Sequence, residues 1–242
     1  MTERIDPGGT IGILGGGQLG RLLALAAAKL GYHTHVFCSE TGCPASFVAT
    51  HNTCASYDDH NALDAFAGQI DVATFEFENV PAQTVARIAD AVPVRPSWKA
   101  LEIAQDRAKE KAFFADIGAA TAPWRPVHSL DELAAALRAV DTPAILKTAR
   151  LGYDGKGQIL IENATDAASA WSQLTNDQTL DSSAAPFAVL EGFVKFTSEI
   201  SVIAARGLDG QTQCFEPVEN VHKNHVLHTT TAPANISSAT AK

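Results

Sequence analysis

The feature that most constrains this chain is its opening segment, "TIGILGGGQLGRLLALAAAKLGYHTHVFC". An apolar run, Ile11–Leu14, has the composition of a strand buried on both faces. Gly15, Gly17 and Gly20 then satisfy G-x-G-x-x-G before an alanine- and leucine-rich helix. Gly31 closes that helix as a left-handed cap, and "HTHVFC" gives the next strand. Such a turn exposes backbone N–H groups at a helix N-terminus, which suits a phosphate. Glu40 stands at about the distance expected of a ribose-binding acid, so a dinucleotide such as NAD fits the pattern. A plain α/β turn and another phosphate ligand fit it equally.

The pattern continues with a helix over "DDHNALDAFAGQ", a strand over "IDVATFEFE", a helix over "PAQTVARIAD" and a short strand over "AVPV". Strands alternating with helices predict an open parallel α/β sheet. The strand "IDVATFEFE" would carry Glu76 and Glu78 on one face at its C-terminal end, where such sheets place ligands. Two carboxylates there suit a ribose or an amine; a solvated edge is the plainer alternative.

From Trp98 a longer helix runs to Gly118, followed by the extended "TAPWRPV" and a helix opened by a Ser129/Glu132 capping box. "PAILKTA" and "GQILIE" read as strands, "DAASAWSQL" as a helix, "NDQTLDSSAAP" as a loop and "FAVLEGFV" as a strand. "SEISVIAARGLDGQTQCFEPVENVH" reads as two strands joined by "GLDG". The end, "TTTAPANISSATAK", begins a helix-like alanine segment and stops, so the chain is expected to be a piece of something longer. This half is α+β. The expected domains are 1–98, Rossmann-like, and 99–242.

The formal net charge of −9 excludes the broad basic field that nucleic acid or an anionic membrane requires. The most apolar segment, "LLALAAAKLGY", is too short to span a bilayer and carries Lys29. "MTERIDPGGT" has no signal-peptide core. Four cysteines without a CxxC pair fit a reducing compartment. Cys38, Cys43 and Cys54 lie near His33, His35 and His51, but their spacing fits no usual zinc site, and no metal ligand is assigned. The expected location is the cytoplasm.

An anionic ligand must therefore meet local cations, and "KTARLGYDGKGQ" concentrates them. Gly152 and Gly157 have Walker A spacing, but Gln158 stands where lysine should follow, and a strand rather than a helix comes next. What remains is a glycine-rich hairpin with Lys147, Arg150 and Lys156, able to fold over a triphosphate or to be a basic surface turn. Glu191 and Glu199 lie on or beside strands. Glu191 ends a strand whose connector could present backbone groups to an adenine edge, and a strand-end glutamate can hold a ribose. His222 follows two acids in "ENVHKN".

Taken in order, "GILGGGQLGRLLALAAAKLG", "TFEFENV", "QDRAKEKAFF", "ILKTARLGYDGKGQ", "FTSEISVIAARGLDG" and "PVENVHKNHVLHTTTAPA" resemble the ATP-grasp family over nearly the whole chain. Within it they are most similar to the 5-(carboxyamino)imidazole ribonucleotide synthases of purine biosynthesis. The resemblance implies a pre-ATP-grasp Rossmann-like domain followed by an ATP-grasp domain whose C-terminal part is absent. It implies a ligase acting on ATP, bicarbonate and 5-aminoimidazole ribonucleotide, with carboxyphosphate as intermediate. Arg107 and Lys147 would contact ATP. Gly152, Tyr153, Asp154, Gly155, Lys156, Gly157 and Gln158 would form a loop closing on the triphosphate. Glu191, Gly192, Phe193 and Val194 would flank adenine, Glu199 would hold the ribose, and His222 would lie in the same site. Gln18, Leu19 and Glu76, with Tyr153 and Asp154, would bind the ribonucleotide; Lys147, Tyr153 and Asp154 would be catalytic.

The same resemblance implies a homodimer and Mg²⁺, with the magnesium ligands expected beyond residue 242. The chain by itself is therefore expected to be inactive. Three alternatives stay open: a formate-dependent glycinamide ribonucleotide transformylase, which Gln18 disfavours; an NAD-dependent dehydrogenase; and a fragment that only binds nucleotide.

Overall fold

The computed structural model describes residues 4–152, 156–176, 187–224 and 226–241. The chain divides between Phe113 and Phe114 into two compact units. That is later than the expected 98/99, because Trp98 and Leu101 pack into the first unit's core.

The first unit is a parallel sheet. Its elements are β1 (Thr10–Leu14), α1 (Gln18–Lys29), β2 (His33–Cys38), β3 (His51–Cys54), α2 (His60–Ala67), β4 (Val72–Phe75), α3 (Ala82–Ala89) and α4 (Trp98–Ala104). The order β3-β2-β1-β4 reverses direction between β1 and β4. Adjacent β1 residues serve opposite faces: Leu14 packs with Phe37, Phe66 and Ile88, and Ile13 with Val36, Ala24 and Ala45. Covering both faces is why the strands read as apolar runs. Gly12 is needed for this, since a Cβ there would lie 2.5 Å from Ile70 Cδ1.

Four expectations for this half change. The edge strand β3 was not expected. "AVPV" provides only a bridge, with Arg95 N donating to Ala73 O and Ala73 N to Pro93 O; Pro93 has no N–H to extend it. β4 ends at Phe75, so Glu76 and Glu78 share no strand face. Glu76 N still donates to Leu14 O, and the chain then leaves the sheet. The long helix after Trp98 is two helices, α4 and α5 (Arg107–Asp116). Asp106 Oδ1 accepts from Ala108 N and Lys109 N, so it caps α5 and breaks the run.

His35 is buried on β2, its Nε2 2.8 Å from Thr53 Oγ1 and its ring 4.8 Å from that of Phe66. Burial, and then the nearby His51, hold its pKa below the ordinary 6.5. Below pH 6.5 the unfolded chain therefore takes up a proton that the native state refuses. Stability is expected to fall as pH drops through 6.5 toward the lowered native value, by at most about 1.4 kcal/mol per pH unit. Urea unfolding between pH 7.5 and 5 checks this, and His35→Gln should flatten the slope.

The second unit holds β5 (Trp124–Val127), α6 (Leu130–Val140), β6 (Ala144–Thr148), β7 (Gln158–Ile161), α7 (Ala167–Thr175) and β8 (Ala188–Gly192). An antiparallel sheet, β5-β8-β6-β7, packs Leu146, Ile161 and Leu190 against Leu133 and Leu137 of α6 and Leu174 of α7. Ser129 Oγ accepts from Glu132 N as expected, whereas Glu132 Oε2 reaches back to His128 N rather than to Ser129.

The expected two-stranded segment is four strands: β9 (Glu199–Ser201), β10 (Ala204–Arg206), β11 (Thr212–Cys214) and β12 (Val218–Lys223). "GLDG" joins β10 to β11, while β12 pairs with β9 and with β13 (Val226–Thr231). The alanine-rich end forms no helix among the described residues. β-branched threonines extend β13, and Pro233 lacks the N–H that would continue a regular strand or helix.

Candidate functional site

In the first unit the glycine turn and Glu76 come together where the strand order reverses, at the carboxyl ends of β1 and β4. Gly15 has φ +107°, a conformation strained for any residue with a Cβ. Gly17 N donates to Glu76 Oε1 at 2.8 Å at the first turn of α1. The protein's own carboxylate thus occupies the positive helix end. It stands where a dinucleotide's pyrophosphate would need to sit, which weighs against NAD. Beside it is a cavity of about 320 Å³, lined by Gly16, Gly17, Cys38, Glu40, Cys43 and Glu76 among others. Two carboxylates and no lining cation suit a ligand rich in donors, such as ribose hydroxyls or an amine. A second cavity of about 260 Å³ lies against Glu76 and Glu78 with apolar walls from Phe75 and Leu101. Gln18 opens α1, and Leu19 is 59% exposed.

In the second unit the helices cover one face of the sheet, and Lys147 lies on the other. Strand alternation puts Lys147 and Ile145 on this second face, and Ile145 pairs with Glu191. Lys147 and Glu191 are therefore diagonal neighbours, and Lys147 Nζ lies 3.1 Å from Glu191 Oε2. Both side chains are largely buried, 19% and 11% exposed. Gln158 pairs with Lys147 across β7 and shares its face. The glycine stretch connects two antiparallel strands, as expected. Gly157 adopts φ +68° and takes Thr148 N on its carbonyl at 2.8 Å. A Cβ on Gly157 would lie 2.6 Å from Thr148 Oγ1.

At the end of β8, Gly192 N donates to Pro123 O, and just past it Phe193 N donates to Pro143 O. The Val194 backbone makes no hydrogen bond among the described residues, which leaves its polar edge open. Glu199 and His222 form a second pair, Oε1 to Nδ1 3.3 Å, on the sheet of β9, β12 and β13. Strand pairing of Glu199 with Asn220 sets this diagonal contact. Arg107 lies in the first unit, half-buried at the start of α5. Tyr153, Asp154 and Gly155 lie outside the described residues.

Two features escape a reading of the sequence. Lys147 and Glu191 stand as separate candidates there, although both fall on the same face parity of their strands. The thiols of Cys38 and Cys43 line the first cavity, and no spacing rule marks them. A further cavity of about 410 Å³, near His60, Arg87 and Trp98, holds none of the candidate residues. Arg87 is bound there to Asp64 through two hydrogen bonds.

Residues 9–105 match the ribonucleotide synthetase preATP-grasp domain, and residues 112–242 match the ATP-grasp domain. An N5-carboxyaminoimidazole ribonucleotide synthase of Brucella melitensis is 48% identical over 98% of the chain and 64% of its own length. An N5-carboxyaminoimidazole ribonucleotide synthetase solved with ADP superposes with a TM-score of 0.90 at 36% identity, covering 100% of this chain and 62% of that one. The Staphylococcus aureus N5-carboxyaminoimidazole synthetase complexed with ADP gives 0.89 at 33% identity, covering 98% and 61%. The chain thus spans a little over three fifths of the length of these proteins. A parallel α/β unit ahead of an antiparallel sheet carrying Lys147, Glu191 and the glycine hairpin accords with these matches, and the chain belongs to the ATP-grasp family.

Proposed function

We propose that the protein carboxylates 5-aminoimidazole ribonucleotide at the expense of ATP and bicarbonate, a step of purine biosynthesis. The observation that carries the reading is the Lys147–Glu191 pair beside the glycine hairpin, within an ATP-grasp domain. Its specificity is supported by the donor-seeking cavity at Glu76 and by the similarity to the Brucella melitensis enzyme.

In this reading Lys147 places a positive charge against the ATP phosphates, and Gly152, Lys156, Gly157 and Gln158 close over them with Tyr153, Asp154 and Gly155. Glu191 orients Lys147. The open backbone edge of Val194, next to Gly192 and Phe193, meets the adenine. Glu199, held by His222, takes the ribose hydroxyls, and Arg107 adds charge to the nucleotide. Bicarbonate attacks the γ-phosphorus and ADP leaves, giving carboxyphosphate. The amine of the ribonucleotide, bound by Gln18, Leu19 and Glu76, then takes the carboxyl carbon and phosphate departs. Tyr153 and Asp154 are assigned to the same acceptor by the family resemblance. Positioning and charge neutralisation do most of the work, as in other phosphoryl transfers.

Magnesium would supply charge between the ATP phosphates. Among the described residues no group of three or more His, Cys, Asp or Glu side chains is placed to hold a metal ion, so no step is assigned to it.

No helix among the described residues is long and apolar enough to cross a membrane; a cytoplasmic location is part of the proposal. So is a homodimer. Leu22, Leu23 and Leu30 are exposed on and just after α1, an apolar surface that a second copy would cover. Leu22→Glu should shift sedimentation toward a monomer with the circular dichroism spectrum unchanged; unchanged sedimentation refutes this interface.

The activity is tested by ADP release from the whole protein, with ribonucleotide and bicarbonate supplied or withheld, and binding by calorimetric titration of ATP and ribonucleotide into this chain. Release that needs both supports the reading. Stabilisation of the chain by NAD alone, with no response to ATP, overturns it.

A further inference from the structure

The geometry points to a peroxide-sensitive dithiol, Cys38 with Cys43, whose oxidation to a disulfide weakens ligand binding in the cavity between the glycine turn and Glu76. The identity of that ligand, the ribonucleotide, rests on the reading proposed above; the disulfide and its effect on the turn do not.

Cys38 ends β2, and Cys43 precedes the 3-10 turn Pro44–Phe47. Both are free thiols, 4% and 6% exposed, yet both line the 320 Å³ cavity, so a molecule as small as hydrogen peroxide has a route to them. Their Cβ atoms lie 2.8 and 2.7 Å from the point a Cβ on Gly16 would occupy, and hence no more than about 5.5 Å from each other. A disulfide needs a Cβ separation of about 3.5–4.5 Å, so entering that range requires a movement of at most about 1 Å. Cys38 Sγ donates to Glu40 O at 3.2 Å and lies 3.7 Å from Asn52 Oδ1, so closing the disulfide exchanges these contacts for Cys43. Burial, and then the neighbouring Cys43, push the Cys38 thiol up to about 12, so Cys38 is not the thiol that begins the reaction.

The chemistry balances. The Cys43 sulfur, as thiolate, attacks one peroxide oxygen; the O–O bond breaks, hydroxide leaves, and Cys43 becomes a sulfenic acid. The Cys38 sulfur then attacks the Cys43 sulfur; the S–S bond forms, the S–O bond breaks, and water leaves with the thiol proton. Two thiols and one peroxide give one disulfide and two waters. Small-molecule thiols reverse the reaction by exchange.

The consequence for the cavity follows from what Cys43 carries. Ala45 N donates to Gly16 O at 2.9 Å, and Arg21 Nη1 to Pro44 O at 3.4 Å. Gly16 lies so close that a Cβ there would be 2.3 Å from Cys43 Sγ. Drawing Cys43 onto Cys38 therefore pulls on Gly16, next to the Gly17 N–H that holds Glu76.

The test treats the chain with equimolar hydrogen peroxide, alkylates it, and maps disulfides by mass spectrometry without reduction. It then compares Gly17 amide exchange and ribonucleotide affinity in the reduced and oxidised protein. A Cys38–Cys43 linkage is expected, with faster Gly17 exchange and roughly tenfold weaker affinity, all restored by dithiothreitol. Cys38→Ser and Cys43→Ser should each abolish the response. Oxidation of the exposed Cys54 or Cys214 instead, or a Cys38–Cys54 linkage, overturns the proposal. So does a Cys38–Cys43 linkage that leaves Gly17 exchange unchanged. If the linkage forms and Gly17 exchange quickens, but the reduced protein binds no ribonucleotide, the dithiol stands and the assignment of the cavity falls.

Discussion

Gly15→Val is expected to destabilise the first unit by about 3–5 kcal/mol, enough to unfold a domain of ordinary stability. Two independent effects add. A φ of +107° is open to glycine and strained for a β-branched residue. A Cβ at this position would also lie 2.4 Å from Glu76 Cγ. The carboxylate cannot simply move aside, because Glu76 Oε1 accepts from Gly17 N. Urea denaturation measures the loss. Gly15→Ala with Glu76→Ala separates the two causes, since the second change removes the clash and leaves the backbone strain. Full recovery in that pair would show that strain contributes nothing. A Gly15→Val protein as stable as the parent would contradict the geometry of the turn.

Lys147→Met is expected to weaken ATP binding roughly 100-fold, the worth of about 2–3 kcal/mol for a charge-assisted contact to phosphate. It also removes an ammonium 3.1 Å from the Glu191 carboxylate, whose side chain is only 11% exposed. Leaving a buried carboxylate without that cation costs about 3 kcal/mol of stability, by analogy with other broken buried pairs. Glu191→Gln in the same chain should return most of the stability but none of the affinity. Calorimetry and urea unfolding on the two single variants and the double variant therefore read separate quantities. A coupling energy near zero would mean that the pair is a solvated contact. Unchanged ATP affinity would remove Lys147 from the nucleotide site.

Much of the fold was legible because it rests on local rules. Ile11–Leu14, the glycine turn and "HTHVFC" announce a parallel sheet through apolar runs and punctuation that only a β-α-β unit satisfies. "PAILKTA" and "GQILIE" announce a hairpin because the glycines between them lead into a strand. The errors fall where a side chain acts at a distance or a single residue breaks a run. Asp106 caps α5 and divides a helix that its composition would continue. β4 stops at Phe75, where the backbone bond from Glu76 to Leu14 ends the pairing. The short strands β10 and β11 lie below the length at which alternation gives a signal.

The sequence by itself determined the chain's class and its candidate residues, because spacing, glycine placement and charge are properties of a linear string. It assigned Glu76 to a strand face and left Lys147 and Glu191 as two separate positions of one nucleotide site. Only the tertiary structure decided that Glu76 crosses 59 residues of sequence to hold Gly17, filling a helix end that the glycine pattern alone offers to phosphate. It alone decided that antiparallel register brings Lys147 to Glu191 across 44 residues, and that two buried thiols meet beneath Gly16. Such contacts depend on which strands lie side by side and in what register, and that is set by the packing of the whole core rather than by any local stretch.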